Sequence, residues 1–297
     1  MRVLNYTFFA GLLAICLLAA GCAAKQEGDN GFEPNTEATV VDHSAIVLGA
    51  IPSTWIDQAK QNLHIAYGHT SHGSQLTTGM AGLVTFAGAQ YAFNAGGSGG
   101  ALDLRDYYGD FGGLGVAEDL GSPNRIAWES ATRTYLNQHP DVNVIIWSWC
   151  GQVDGTQAEI QQYLGLMDGL EHDFPGVKFV YMTGHTDGAP LSGNVPARNK
   201  QIRDYCSANN KILYDFADIE SYDPDGTYFG DKLVNDACDY DSNADGVRDR
   251  NWAVDWQNAH PGEWYNCDSA HSQPLNANLK AYAAWHLWAR LAGWDGN

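Results

Sequence analysis

Leu63-His64-Ile65-Ala66-Tyr67-Gly68-His69-Thr70-Ser71-His72-Gly73 runs from an apolar stretch into a polar turn bounded by glycine. Apolar residues at helical spacing follow across 74–86, so the segment reads as strand, turn and helix. The same succession recurs along the chain. Strands are expected at 63–67, 91–93, 142–149, 177–182 and 212–214, and helices at 74–86, 124–137, 156–173, 195–208 and 275–291. Strands alternating with helices predict an α/β fold, a parallel sheet of about five strands covered on both faces. Ligands of such sheets bind beyond the carboxyl ends of the strands, near the switch point. The polar clusters fall at those ends: Ser71, then Asn94-Ala95-Gly96-Gly97-Ser98-Gly99, then Cys150-Gly151-Gln152-Val153-Asp154, then Gly184-His185-Thr186-Asp187.

Far along the chain, Asp268-Ser269-Ala270-His271 precedes the last expected helix. A serine hydroxyl is a weak nucleophile until an imidazole takes its proton, and the imidazole needs a carboxylate to fix its tautomer. Ser71, His271 and Asp268 supply these three groups. The residue types also suit plainer roles, since Ser71 fits a helix N-cap and Asp268 can cap the final helix. Ser74 is a second candidate hydroxyl.

With these blocks in place, residues 60–292 resemble the SGNH (GDSL-like) hydrolase family. The resemblance implies a flavodoxin-like three-layer α/β/α fold, a Ser71 nucleophile, an Asp268-His271 pair, and an oxyanion hole from the Ser71 and Gly99 amides with Gln152. Two blocks depart from the family pattern. Gly68-His69-Thr70-Ser71 stands where Gly-Asp-Ser is usual, and Gln152 stands where an asparagine is usual. Loss of one oxyanion donor typically costs ~3–4 kcal/mol of transition-state stabilisation, so the Gln152 exchange bears directly on rate. His69, His72, Asp154 and His185 are expected to line the substrate pocket. Ligation of a metal by the histidines together with His271 is an alternative use of the same residues.

The first residues concern location. Arg2, an apolar run over 8–20, and Leu18-Ala19-Ala20-Gly21-Cys22 resemble a bacterial lipoprotein signal, with Cys22 as the lipidated residue. Residues 1–21 are then a signal peptide, 22–42 a polar tether, and 43–297 the hydrolase-like domain, held at the membrane of the cell envelope. The formal charge is −19, from 16 Lys plus Arg against 35 Asp plus Glu. That surface repels phosphate backbones and argues against a nucleic-acid partner. Apart from Cys16 and Cys22, four cysteines remain. The preferred bridge, Cys238 to Cys267, would close a loop of about 30 residues and contribute roughly 3–4 kcal/mol. Cys150 and Cys206 read either as a second bridge or as two buried thiols.

Within an expected insertion at 217–267, Asp239-Tyr240-Asp241-Ser242-Asn243-Ala244-Asp245-Gly246-Val247-Arg248-Asp249 follows the spacing of a calcium loop. Asp239, Asp241, Asn243, Asp245, Val247 and Asp249 are the candidate ligands of a structural calcium ion. The twelfth position is Trp252 rather than glutamate. The insertion is also aromatic, which suits either packing or stacking on sugar faces. The expected activity is therefore hydrolysis of O-acyl esters, with acylated carbohydrate one substrate class, and no organic cofactor is implied. The alternative is a catalytically weak or inactive carbohydrate- or ligand-binding lipoprotein of the same fold.

Overall fold

The computed structural model describes Met1 and residues 37–297. The strands and α-helices are β1 (Thr39–Val41), α1 (Ser53–Asn62), β2 (His64–His69), α2 (Ser71–Ala87), β3 (Phe93–Asn94), β4 (Leu102–Tyr108), α3 (Ala127–Gln138), β5 (Val144–Trp147) and α4 (Gln157–Asp173). They continue with β6 (Lys178–Met182), α5 (Asn194–Ala208), β7 (Ile212–Tyr214), α6 (Phe216–Ile219), β8 (Asp239–Tyr240), β9 (Arg250–Asn251), α7 (Trp252–Ala259) and α8 (Pro274–Leu291).

Seven strands form one parallel sheet in the order β1-β7-β6-β5-β2-β4-β3, two more than expected. The two unexpected members are the short edge strand β1 and the interior strand β4, while the expected strand at 91–93 is the short edge strand β3. β1 pairs with β7 and lies in the stretch expected to be tether, so ordered structure begins by Thr39. The five between the edge strands run β4-β2-β5-β6-β7, a doubly wound order in which the chain reverses direction between β2 and β5.

Alternate residues of each strand enter opposite cores, as the two-residue period of a strand requires. Ile65 and Tyr67 of β2 join Val144, Ile146, Val180 and Met182 in a core shared with α1, α2 and α8. Ala66, Ile145, Trp147, Phe179 and Tyr181 face the core shared with α3, α4 and α5. α8 is buried along most of its length, which explains why its sequence is apolar on nearly every side. Pro274 starts it without losing a needed hydrogen bond. Gly79 lets α2 approach α8 closely, because a Cβ there would stand 2.1 Å from the Ala277 carbonyl oxygen. α4 opens with a capping box between Thr156 and Glu159.

Among the described residues no helix is long and apolar enough to cross a membrane. The segment around Cys22 lies outside the described residues.

The four domain cysteines are free thiols, which corrects the expected Cys238–Cys267 bridge. Cys238 Sγ faces Ser272 Oγ at 3.4 Å, and Cys267 Sγ lies 3.4 Å from Asn278 Nδ2. Each sulfur therefore has its own polar neighbour. The acidic loop is closed by its own amides. Asp241 accepts from the N–H groups of Asn243, Asp245 and Gly246, while Asp239 is held by Asn251 and Asp249 by Ser242.

Candidate active site

Ser71 is the first residue of α2 and follows β2 directly, while Cys150 follows β5. These are the two strands that flank the switch point, and Ser71 Oγ lies 3.6 Å from Cys150 Sγ. Helix α2 therefore directs its amino end, with first-turn amides that lack intrahelical partners, at the crevice. Thr70 Oγ1 donates to the buried Asp119 at 2.6 Å and fixes the strand-to-helix turn. Ser74 Oγ donates back to the Ser71 carbonyl at 2.7 Å, so it is engaged along the helix.

The turn carrying Asp268 and His271 meets α2 at this point. Gln75, one turn beyond Ser71, donates through Nε2 to the Ala270 carbonyl at 2.6 Å. The His271 ring stacks on His72, the neighbour of Ser71, with centroids 4.4 Å apart. His271 is exposed and holds φ at +65°, a left-handed conformation that costs a non-glycine residue energy and clusters at functional sites. Asp268 is exposed as well, and no hydrogen bond joins Asp268 to His271 or His271 to Ser71.

A buried network supports the turn from below. Lys280 of α8 donates to Glu220 Oε2 at 2.7 Å and also to Gln75 Oε1, and both members of the ion pair are inaccessible to solvent. Glu220 in turn accepts from the Thr186 amide and from Asn276, which donates onward to Ser272. The network thus links α2, α8, the β6 loop and the turn before α8.

His72 stands at the centre of a hydrogen-bonded line that sequence reading did not bring together. Its Nδ1 is 3.3 Å from Cys150 Sγ and its Nε2 is 3.0 Å from Asp236 Oδ2. Burial penalises the imidazolium, but the bonds to Asp236 and Cys150 outweigh it and raise the His72 pKa to about 9. The hydrogen bond with His72 outweighs burial of the thiol and lowers Cys150 to about 7. His185 covers the other face of His72 at a centroid distance of 4.0 Å, oriented by its Nδ1 contact with the Thr186 carbonyl.

The other expected site residues divide between the crevice and the rest of the fold. Gly99 precedes β4, whose Asp103 pairs with His64 and whose Tyr108 pairs with His69. Because β4 and β2 run parallel, Gly99 lies at the amino edge of the sheet, beyond His64. At ~3.3 Å per residue the five positions from His64 to His69 alone span about 17 Å. Gly99 is therefore remote from Ser71. Tyr108 and Gly109 are the residues that β4 brings to the rim, and the Gly109 amide donates to the His69 carbonyl.

Gln152 lies at the crevice with its amide engaged. Its Nε2 faces Asp119 at 3.3 Å and its Oε1 accepts from the Cys150 amide. His69 is buried beneath the turn, bonded to Asp106 at 2.5 Å and stacked on Tyr67. Asp154 is exposed and ties its loop to the start of α5 by accepting from Asn194. A cavity opens next to Thr186, lined by polar groups such as Asn199, Arg203 and Ser221 and by apolar ones such as Leu191, Val195 and Val234.

No protein-family model matches the chain, and no curated protein matches it in sequence.

Proposed function

We propose that this protein is an SGNH-type ester hydrolase, with Ser71 as nucleophile, His271 as general base and Asp268 as the carboxylate that orients it. The observation that carries the reading is the attachment of the 268–271 turn to the first turns of α2, through Gln75 to Ala270 and through the His72–His271 stack. His271 takes the Ser71 proton as the hydroxyl attacks the ester carbonyl. The oxyanion faces the Ser71 amide and the positive end of α2, a placement that stabilises negative charge. His271 then protonates the leaving alcohol, and water releases the acyl group by the reverse path. A rotation of the exposed His271 and Asp268 side chains into hydrogen-bonding range accompanies substrate binding, as catalytic contacts often tighten only in the complex.

The doubly wound strand order supports the flavodoxin-like part of this reading, since it places the crevice between β2 and β5. The cavity next to Thr186, with its mixed polar and apolar lining, has room for the alcohol moiety of an ester such as an acylated sugar. The Cys22 signal motif supports residence as a membrane-anchored lipoprotein of the cell envelope. The Asp241 loop supports a structural calcium ion, whose signature is a calcium-dependent rise in Tm that Asp241→Asn abolishes.

A second reading has its own observation. The line Cys150–His72–Asp236 is already hydrogen-bonded, and it makes Cys150 a competing nucleophile for the same carbonyl. Turnover of short-chain aryl esters separates the two. Ser71→Ala abolishes turnover while Cys150→Ala leaves it largely intact under the serine reading. The reverse pattern identifies the thiol, and a folded parent without turnover points to a binding protein.

A further inference from the structure

A ring nitrogen of His72, a carboxylate oxygen of Asp236 and a ring nitrogen of His271 lie within 4.8 Å of one another. We infer that these three side chains form a binding site for one zinc-class divalent ion, with the fourth position open to the crevice. The ligands come from three separated segments: α2, the turn before β8 and the turn before α8. Two imidazoles and one carboxylate are the donor types such ions prefer, whereas calcium takes an oxygen shell.

The spacing fits. Ligands at ~2.0–2.1 Å from a tetrahedral ion stand about 3.3 Å apart, and His72 Nε2 already lies 3.0 Å from Asp236 Oδ2. The outer contacts also fit, because a metal-bound histidine usually has its other ring nitrogen held by a partner. Here Cys150 Sγ engages His72 Nδ1, which leaves Nε2 directed at Asp236. Asp236 Oδ1 is oriented by the Ala237 amide, and the His271 backbone is held through Gln75 and Ala270. His271 is exposed at the rim and gives the ion a path inward.

Two other groups with comparable spacing are poorer sites. In His64, Asp103 and Asp141, the Arg105 guanidinium already bridges the two carboxylates. In Asp42, His43 and Asp218, the Asp42 oxygen is taken by Ser44, and His43 is bonded to Asp218 and stacked on Tyr222.

Occupation of the site has a consequence that rests on the proposed function. A metal-bound His271 cannot remove the Ser71 proton, so the ion is an inhibitor of ester hydrolysis and sets activity by its local concentration.

The test is calorimetric titration of the intact, chelator-treated protein with zinc alone, and with cobalt alone followed by visible absorption. The expected result is about one equivalent bound, with the intense visible bands of tetrahedral cobalt. Binding should weaken about tenfold or more in each of His72→Ala, Asp236→Asn and His271→Ala and stay unchanged in His43→Ala. His271 is exposed, so its variant folds, and circular dichroism checks each protein. No binding, or binding indifferent to Asp236→Asn and His271→Ala, overturns the site. If zinc binds as described while ester turnover is unaffected, the metal site stands and the role of His271 as base falls.

Discussion

Gln75 Nε2 donates to the Ala270 carbonyl at 2.6 Å, while Gln75 Oε1 accepts from Lys280. One side chain on α2 therefore joins the segment carrying Ser71 to the turn carrying His271 and to the buried ion pair beneath both. Gln75 is a positioning residue, since it reaches the site through the Ala270 backbone. Gln75→Ala should lower kcat for ester turnover by roughly 10- to 100-fold with little change in KM, because misplacement by about 1 Å has that scale of effect. Steady-state kinetics with a short-chain ester give the split directly. Equal kcat in the variant would remove Gln75 from the positioning of His271.

Lys280 and Glu220 form a solvent-inaccessible pair, and burial pushes the lysine pKa down against the opposing pull of Glu220. Lys280→Met leaves a buried carboxylate without its cation and should cost ~3–5 kcal/mol, read as a lower midpoint in urea unfolding. Lys280→Met combined with Glu220→Gln should cost less than Lys280→Met alone, since the uncompensated charge is gone. A double variant less stable than the single one would contradict this account.

The thiols separate by accessibility. Cys206 and Cys238 are buried, whereas Cys150 is partly exposed at the crevice. A thiol reagent should modify Cys150 first in the native protein, Cys267 more slowly because it is also partly exposed but burial raises its pKa to about 11, and Cys206 and Cys238 only on unfolding, all without added reductant. Cys238→Ser should not show the loss of a bridge. Recovery of a Cys238–Cys267 disulfide by peptide mapping would show the two sulfurs bridged rather than free.

His286 on α8 is half-buried, with its Nδ1 lacking a partner and its ring against Trp294. Burial, aided by the Arg290 charge, lowers its pKa from 6.5 to about 4. The folded state thus holds it neutral where the unfolded chain takes a proton. Its contribution to stability is complete above pH 6.5 and is lost as pH falls toward 4. Allowing for solvent screening, His286→Leu should flatten this limb by ~1 kcal/mol, measured as Tm against pH. Parallel profiles for parent and variant would exclude His286 as the cause.

Residues 63–73 announce the strand-to-helix turn because apolar periodicity and turn chemistry coincide there, and 212–214 is recovered to the residue as β7. The central strand β4 escaped notice because Asp103, Arg105 and Asp106 interrupt its apolar residues. Asp103 is buried nonetheless, neutralised by Arg105 and bonded to His64, so long-range pairing overrides local polarity. Gly99, the oxyanion glycine that the family resemblance implies, stands before β4 and so at the opposite end of the sheet from Ser71. The strand signal of 91–93 reduces to the two-residue β3. The meeting of His72, Cys150 and Asp236 is set by topology alone, since loops following β5 and β7 return to α2 with no local pattern to mark it. The alternating acids of 239–249 gave a visible loop, but the amides that satisfy them belong to its folded conformation.

The most direct test of the central claim is intact-mass analysis after exposure to a fluorophosphonate probe, with peptide mapping of any adduct. The account predicts a single adduct on Ser71 that is absent in Ser71→Ala and strongly slowed in His271→Ala. A folded parent that forms no adduct, or an adduct that persists in Ser71→Ala, would contradict it.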